Sequence, residues 1–175
     1  MAAWFTVYCT RSVDHVTATD IRSEIDRWDF PTAAEAYGID GEETVHQGLA
    51  SLKLEPLDGS GQVRFQLRYG PPNRRPILLH VLSDPESVKE VREEAEELLE
   101  RVGGEGEVRI RSHLDRMVAV VALELGWSQL EDMGVVFAGM VSEYHALIGE
   151  GLIRDPYDVW WAVENHCPIR IAGPE

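Results

Sequence analysis

Residues 117–161 read MVAVVALELGWSQLEDMGVVFAGMVSEYHALIGEGLIRDPYDVWW, and the order of patterns in this stretch decides the fold. The opening MVAVVALEL is apolar and rich in β-branched residues, which is typical of a central strand covered on both faces. After Gly126-Trp127, an amphipathic helix is indicated by an apolar stripe at helical spacing, Met133, Phe137, Met140, Tyr144 and Leu147. Gly149 and Gly151 end that helix, and GLIRD forms a second strand. The spacing predicts a βαβ-like or split unit, which needs a sheet to join.

An alternative assignment of the first strand stays open. Ser112 and Asp115 have the spacing of a helix capping box, which would place Met117–Leu125 in a helix. We favour a strand, because the segment is rich in valine and stops at a glycine. Periodicity alone does not distinguish a short buried strand from a buried helical segment.

The first half of the chain predicts further strands. Trp4–Thr10 alternates, so that one face of this strand is expected to point toward the core. Ser51–Leu57 and Gln62–Tyr69 alternate on either side of Asp58-Gly59-Ser60-Gly61, which indicates a hairpin. With Ile77–Leu82 as the next strand, these segments predict a three-stranded antiparallel meander.

Helix signals lie between these strands. Thr17 and Asp20 have the spacing of a capping box, and Ser83-Asp84-Pro85-Glu86 starts a second helix that extends to Val102. The segment VRIRSHL fits either an edge strand or a short helix. We predict a single α+β domain, residues 1–175, in two layers. A mixed, largely antiparallel sheet of about five or six strands would carry the helices from Pro85 and from Gln129 on one face.

The charge balance restricts the class of partner. The chain has 16 Lys+Arg against 31 Asp+Glu, a formal net charge of −15. This acidity argues against binding to nucleic acid or to an anionic membrane, and it favours encounter with a basic protein. No apolar run approaches the ~20 residues that span a bilayer, and MAAWFTVYCT lacks the basic start of a signal peptide. We therefore expect a cytoplasmic protein.

Motifs for chemistry are absent from the sequence. The six histidines are scattered, and Cys9 and Cys167 lie at opposite ends without a CxxC pair, so no metal site is predicted. The chain also lacks a GxSxG elbow and a glycine-rich phosphate loop. No catalytic residue and no cofactor are predicted. Whether the two cysteines form a disulfide is left open, with reduced thiols as the default.

Two features favour a binding surface. The helix after Pro85 carries a face of exposed glutamates, Glu90, Glu93, Glu94 and Glu97. The second feature is an aromatic and acidic turn with Asp155, Tyr157, Asp158 and Trp160 as candidate partner-binding residues. Adjacent Trp160 and Trp161 point to opposite faces of a strand, so one is exposed unless both faces are covered. For the tryptophans, packing in the core is the interpretation that we favour, and an interface anchor is the alternative.

The runs VVALELGWSQLEDMG and GEGLIRDPYDVWW, on either side of the amphipathic helix, resemble small bacterial immunity proteins of polymorphic toxins. That resemblance covers the last third of the chain and implies a non-enzymatic inhibitor that neutralises a basic toxin. Our expectation is an acidic protein-binding domain of this kind. The alternative is a small enzyme near the C-terminal aromatic turn, with His80 or His145 as its base.

Overall fold

The computed structural model describes residues 2–57, 61–99 and 104–174. Its strands are β1 (Ala2–Cys9), β2 (Lys53–Pro56), β3 (Val63–Arg68), β4 (Ile77–Leu82), β5 (Ala119–Gly126), β6 (Gly151–Arg154), β7 (Trp160–Glu164) and β8 (Cys167–Ala172). Its helices are α1 (Ala18–Ile25), α2 (Phe30–Ala36), α3 (Glu42–Ser51), α4 (Pro85–Leu99), α5 (Gly104–Leu114) and α6 (Met133–Gly149). A short 3-10 helix, Trp127–Glu131, precedes α6.

All eight strands belong to one sheet, in the order β2-β3-β4-β5-β1-β6-β7-β8, and every neighbouring pair is antiparallel. The predicted α+β class and the largely antiparallel sheet are confirmed. The predicted meander corresponds to β2, β3 and β4, although residues 58–60 of its first turn lie outside the described residues. The sheet exceeds the predicted five or six strands because the C-terminal segment folds into the β7–β8 hairpin.

The predicted βαβ-like unit is a split one, in which another strand lies between the two strands that the helix connects. The segment that had two possible assignments is a strand, since β5 pairs with β1 along its whole length. On its other side β1 pairs with β6, so β5 and β6 run parallel to each other with β1 between them. Helix α6 makes the connection, and it packs against β1, β5 and β6. This arrangement places the first strand of the chain at the centre of the sheet.

Local signals explain the helix boundaries. Thr17 and Asp20 form the predicted capping box at the start of α1. The segment VRIRSHL belongs to α5 and is helical. Helix α6 starts at Met133 rather than at Gln129, because the Asp132 carboxylate caps it by accepting a hydrogen bond from the Gly134 amide at 2.8 Å. The predicted end of the helix at Val102 lies outside the described residues.

Helices pack on both faces of the sheet, whereas the prediction placed those from Pro85 and Gln129 on one face. Helices α1, α2, α3 and α6 cover the side of β1 that holds Phe5, Val7 and Cys9. Helices α4 and α5 cover the opposite side, where Tyr8 and Val120 are buried. The reason is that the central strands are apolar on both faces, and such strands must be covered on both sides.

Cover on the α4–α5 side is incomplete. One row of residues crosses five strands through direct pairing, from Glu55 to Gln66, Leu78, Glu124 and Trp4. None of these five side chains is buried. The corresponding row near the other ends of β5 and β1 includes Val120 and Tyr8, which are both fully enclosed. The helices therefore leave a stretch of this sheet face open to solvent.

Candidate binding surfaces

The predicted anchor Trp160 lies in the protein core. Its side chain is 1% exposed, and its ring stacks on Tyr8 with centroids 4.9 Å apart. The prediction that Trp160 binds a partner is therefore corrected. Strand β7 lies inside the sheet, and the face of β7 that carries Trp160 is covered by the apolar side chains of α4 and α5. Its neighbour Trp161 is half-buried on the opposite face.

The turn between β6 and β7 depends on Asp155. Its carboxylate accepts hydrogen bonds from the Tyr157 amide at 2.8 Å, from the Val159 amide at 3.0 Å and from Trp161 Nε1 at 2.9 Å. This residue holds the turn together, and its oxygens are already engaged. Tyr157 projects from the turn and is 58% exposed.

Arg154 connects the turn to α4. Its guanidinium lies 3.7 Å from the carboxylates of both Glu94 and Asp158, and its side chain is only 14% exposed. The structure thus brings Glu94 and Asp158 together on the α4 side of the sheet. Asp155 and Tyr157 instead line a cavity on the α6 side. The eight predicted partner-binding residues are therefore divided between the core and two opposite surfaces.

The first of these surfaces is a depression of about 350 Å³ between α4 and the open part of the sheet, which we call the sheet groove. Trp4 and His80 form its floor, and Val91 and Glu94 of α4 form one wall. Trp4 is 38% exposed and its ring centroid lies 5.3 Å from that of His80. Sequence reasoning missed Trp4, although a large aromatic ring on the non-core face of an alternating strand was a usable signal.

The second surface is a cavity of about 710 Å³ on the α6 side, which we call the aromatic cleft. It is enclosed by α2, α6, the residues after α1 and the β6–β7 turn. Its lining includes Trp28, Tyr37, Met140, Glu143, Tyr144 and Trp161. The sheet contributes Phe5 and Ile153 as its floor. The cavity is built from residues 24–37, from α6 and from residues 153–168, which are far apart in the sequence, with Phe5 of β1. No local sequence motif therefore predicted it.

Glu143 is the titratable group that distinguishes the aromatic cleft. Burial raises the pKa of its carboxyl from 4.5 to about 7. No hydrogen bond or ion pair to this carboxyl occurs among the residues that the structure describes. Burial, together with the nearby charges of Glu143 and Asp155, also raises the pKa of Tyr37. The cleft therefore holds a carboxyl group whose charge changes near neutral pH.

The histidines proposed as bases do not meet at the C-terminal turn. His145 is 1% exposed inside the core, where its Nδ1 donates to the Val141 carbonyl at 2.8 Å, and burial lowers its pKa to about 4. His80 lies in the sheet groove, 3.3 Å from Glu124. His80 therefore has a carboxylate neighbour in the sheet groove, His145 is enclosed in the core, and neither histidine lines the cavity beside the C-terminal aromatic turn.

Both cysteines and several possible metal ligands belong to the described residues. Cys9 and Cys167 are both free, and burial raises the pKa of the Cys9 thiol to about 12. Across residues 2–57, 61–99 and 104–174, no three histidine, cysteine or acidic side chains are grouped so that they could hold a metal ion. Within the same ranges, no helix has the length and apolar character needed to cross a membrane.

Comparison with known proteins adds no assignment: no family model, curated protein or solved structure matches this chain.

Proposed function

We propose that this chain is a non-enzymatic binding protein, of the immunity or inhibitor type, that recognises a basic protein partner. The proposed interface comprises the glutamates of α4 and the adjoining sheet groove. The observation that carries this proposal is the exposed Trp4, which lies on an open stretch of sheet beside the acidic helix. An aromatic ring of this kind next to a charged rim has the anatomy of an interface centre.

The charge on α4 supports a basic partner. Glu90, Glu93, Glu94 and Glu97 are all exposed. Glu93 is 3.6 Å from Lys89 and Glu94 is 3.7 Å from Arg154, but the carboxylates in these pairs face solvent. The Lys89–Glu93 pair is exposed and contributes little free energy, and the less exposed Arg154 keeps Asp158 as a second carboxylate, so a partner can replace these pairs at small cost. With the net charge of −15, this helix would attract a basic surface over long range.

Trp4 supports a stable docked state. The groove beside it is also lined by the half-buried Leu82, Val91 and Ala122, so a partner that covers the groove would bury apolar area around the ring. Interface aromatic residues of this kind typically dominate the binding free energy. The resemblance of the last third of the chain to immunity proteins agrees with such a role, and the acidic composition suits a basic toxin.

The test begins with capture of the partner from the source cells by the tagged chain, and then measures binding kinetics with the purified pair. Replacement of Glu90, Glu93, Glu94 and Glu97 by Lys should lower the association rate constant about tenfold or more at low salt. It should also make that rate constant less dependent on salt concentration. The matched control reverses four exposed acids on the other side of the sheet, Glu35, Asp40, Glu42 and Glu43. An equal loss in the control would show that only net charge matters and would contradict this interface.

Trp4→Ala tests the anchor separately. We expect faster dissociation and a loss of ~2 kcal/mol or more in binding free energy, with little change in the association rate. Tyr157→Ala is the control, because this exposed ring lies on the opposite surface. Unchanged dissociation of Trp4→Ala would contradict the proposed centre of the interface.

A further inference from the structure

We propose that the aromatic cleft is a second binding site, which takes an amphipathic organic cation with its charged nitrogen at Glu143. The apolar body of the ligand would lie among the rings of the cleft. This inference goes beyond recognition of a basic protein, because the cleft lies on the α6 side of the sheet and the proposed protein interface lies on the α4 side.

The size and rigidity of the cleft suit a small molecule. Its volume of about 710 Å³ is within the range of ~300–1,000 Å³ that is usual for ligand pockets. Its walls are held in place by the surrounding structure. Trp161 is fixed by its hydrogen bond to Asp155, and the ring of Tyr37 packs directly on the backbone at Gly139. A preformed cavity of this kind avoids the entropic cost of ordering its walls on binding.

The charges in the cleft favour a cation. Glu24 is 3.7 Å from Arg27, and the Asp29 carboxylate caps α2 through Thr32. Asp155 holds the β6–β7 turn, as described above. Glu143 therefore remains as the carboxylate without a partner among the described residues, in a cavity whose charged lining is mostly acidic. A cationic group would supply that partner, whereas an anion would meet repulsion.

The rings strengthen this preference. Trp28, Tyr144 and Trp161 line the cleft, and Glu143 is adjacent to Tyr144 in the sequence. The face of an aromatic ring carries negative charge density, which attracts ammonium groups that are partly removed from water. Rings together with a carboxylate are the combination that recognises alkylated ammonium ions, while the apolar lining accommodates a hydrocarbon body.

The probe for the test is phenylbutyl-trimethylammonium, whose charge does not change with pH, and binding to the purified full chain is measured by calorimetry. Its neutral analogue carries a tert-butyl group in place of the trimethylammonium, and its anionic analogue carries a carboxylate. We expect saturable binding of the cation, about tenfold weaker binding of the neutral compound and no detectable binding of the anion. Absence of cation binding, or equal affinity for the neutral compound, overturns the proposal.

Glu143→Gln keeps the shape of the side chain and removes its charge. Its affinity for the cation should fall about tenfold, to that of the neutral analogue. Glu150→Gln is the matched control, because Glu150 follows the same helix, is exposed and pairs with Arg11 at 3.0 Å. Urea unfolding of both variants establishes that they are folded. Full affinity in Glu143→Gln overturns the proposal.

Dependence on pH provides a second readout. The other charged or titratable groups that line the cleft are Glu24 of α1, Arg27 and Asp29 between α1 and α2, Tyr37 at the end of α2, Tyr144 of α6, Asp155 and Tyr157 of the β6–β7 turn, and His166 of the β7–β8 turn. Cation affinity should rise between pH 6 and pH 8 as Glu143 loses its proton, and the rise should vanish in Glu143→Gln. A rise that persists in this variant overturns the role of Glu143. Trp4→Ala should bind the probe normally, which keeps this test independent of the protein interface.

Discussion

At the scale of single residues, Trp160 and Trp161 show how adjacent identical side chains acquire different roles. Trp160 stacks on Tyr8 beneath α4 and α5, and Trp161 lines the aromatic cleft on the other side of the sheet. Successive side chains of a β-strand point to opposite faces of the sheet, and this alternation separates the two rings. What distinguishes them is the cover on each face, which is complete over Trp160 and leaves a cavity over Trp161.

The core position of Trp160 leads to a stability prediction. Trp160→Ala should lower the free energy of unfolding by ~3–5 kcal/mol, because it removes a fully enclosed ring and leaves a cavity. Tyr157→Ala, from the exposed tip of the neighbouring turn, should change it by less than about 0.5 kcal/mol. Urea unfolding followed by circular dichroism measures both. A loss below about 1 kcal/mol in Trp160→Ala would contradict the buried stack.

At the scale of elements, α6 is a central helix rather than an amphipathic one with a single apolar stripe. Every residue from Met133 to Ser142 is buried, because α1, α2 and α3 pack around the side that faces away from the sheet. A helix that is apolar all round is typical of such a position. Glu143 and Tyr144 interrupt this burial where the aromatic cleft opens.

Gly139 is the position in α6 against which the side chain of Tyr37, at the end of α2, packs. A methyl group on Gly139 would overlap the Tyr37 hydroxyl, so Gly139→Ala should destabilise the fold by ~1–3 kcal/mol. The clash outweighs the gain of about 1 kcal/mol in helix propensity. In a Tyr37→Ala background the same substitution should be neutral or stabilising. A double-mutant cycle from urea unfolding measures this coupling, and strictly additive effects would contradict the contact.

At the scale of the whole molecule, the sheet separates two environments. One face is covered by α1, α2, α3 and α6 and contains the aromatic cleft, and the other is partly open and adjoins the glutamates of α4. Two ligands could therefore bind without touching each other. The acidic charge is concentrated at the surface, while buried ionisable groups such as His145 connect the stability of the whole fold to pH.

His145 should make the protein less stable in mild acid. Burial lowers its pKa from 6.5 to about 4, so between these values the unfolded chain binds a proton that the folded chain does not. The contribution of His145 to the free energy of unfolding should therefore fall as the pH drops from about 6.5 to about 4, by on the order of 3 kcal/mol. Glu143, whose folded-state pKa is raised to about 7, contributes in the opposite direction, so the His145 contribution is measured as the difference between wild type and a variant in urea unfolding across this range.

The comparison variant is His145→Leu, which removes the titrating group but keeps an apolar side chain of similar size in the core. The difference in unfolding free energy between wild type and this variant should shrink or reverse steadily toward acid pH. His46→Gln is the control, since His46 is exposed and its replacement removes a histidine without opening the core. A difference that does not depend on pH would contradict the proton-free state of buried His145.

Local sequence determined the elements of this protein. The valine-rich run before Gly126 became β5, the Thr17 and Asp20 capping box opened α1, and the alternating segments around residue 60 paired as β2 and β3. These features follow from side-chain periodicity and from turn and capping hydrogen bonds, which act over a few residues. The α+β class and the acidic surface of α4 were predictable for the same reason.

Only the tertiary structure decided which faces these elements share. It placed α4 and α6 on opposite sides of the sheet, enclosed Trp160 and left Trp4 exposed. It also assembled the aromatic cleft around Glu143 from α2, α6 and the β6–β7 turn. An amphipathic pattern shows that a helix has a buried side, but it does not identify the surface that covers it. That choice depends on the order of strands in the sheet, which long-range pairing sets.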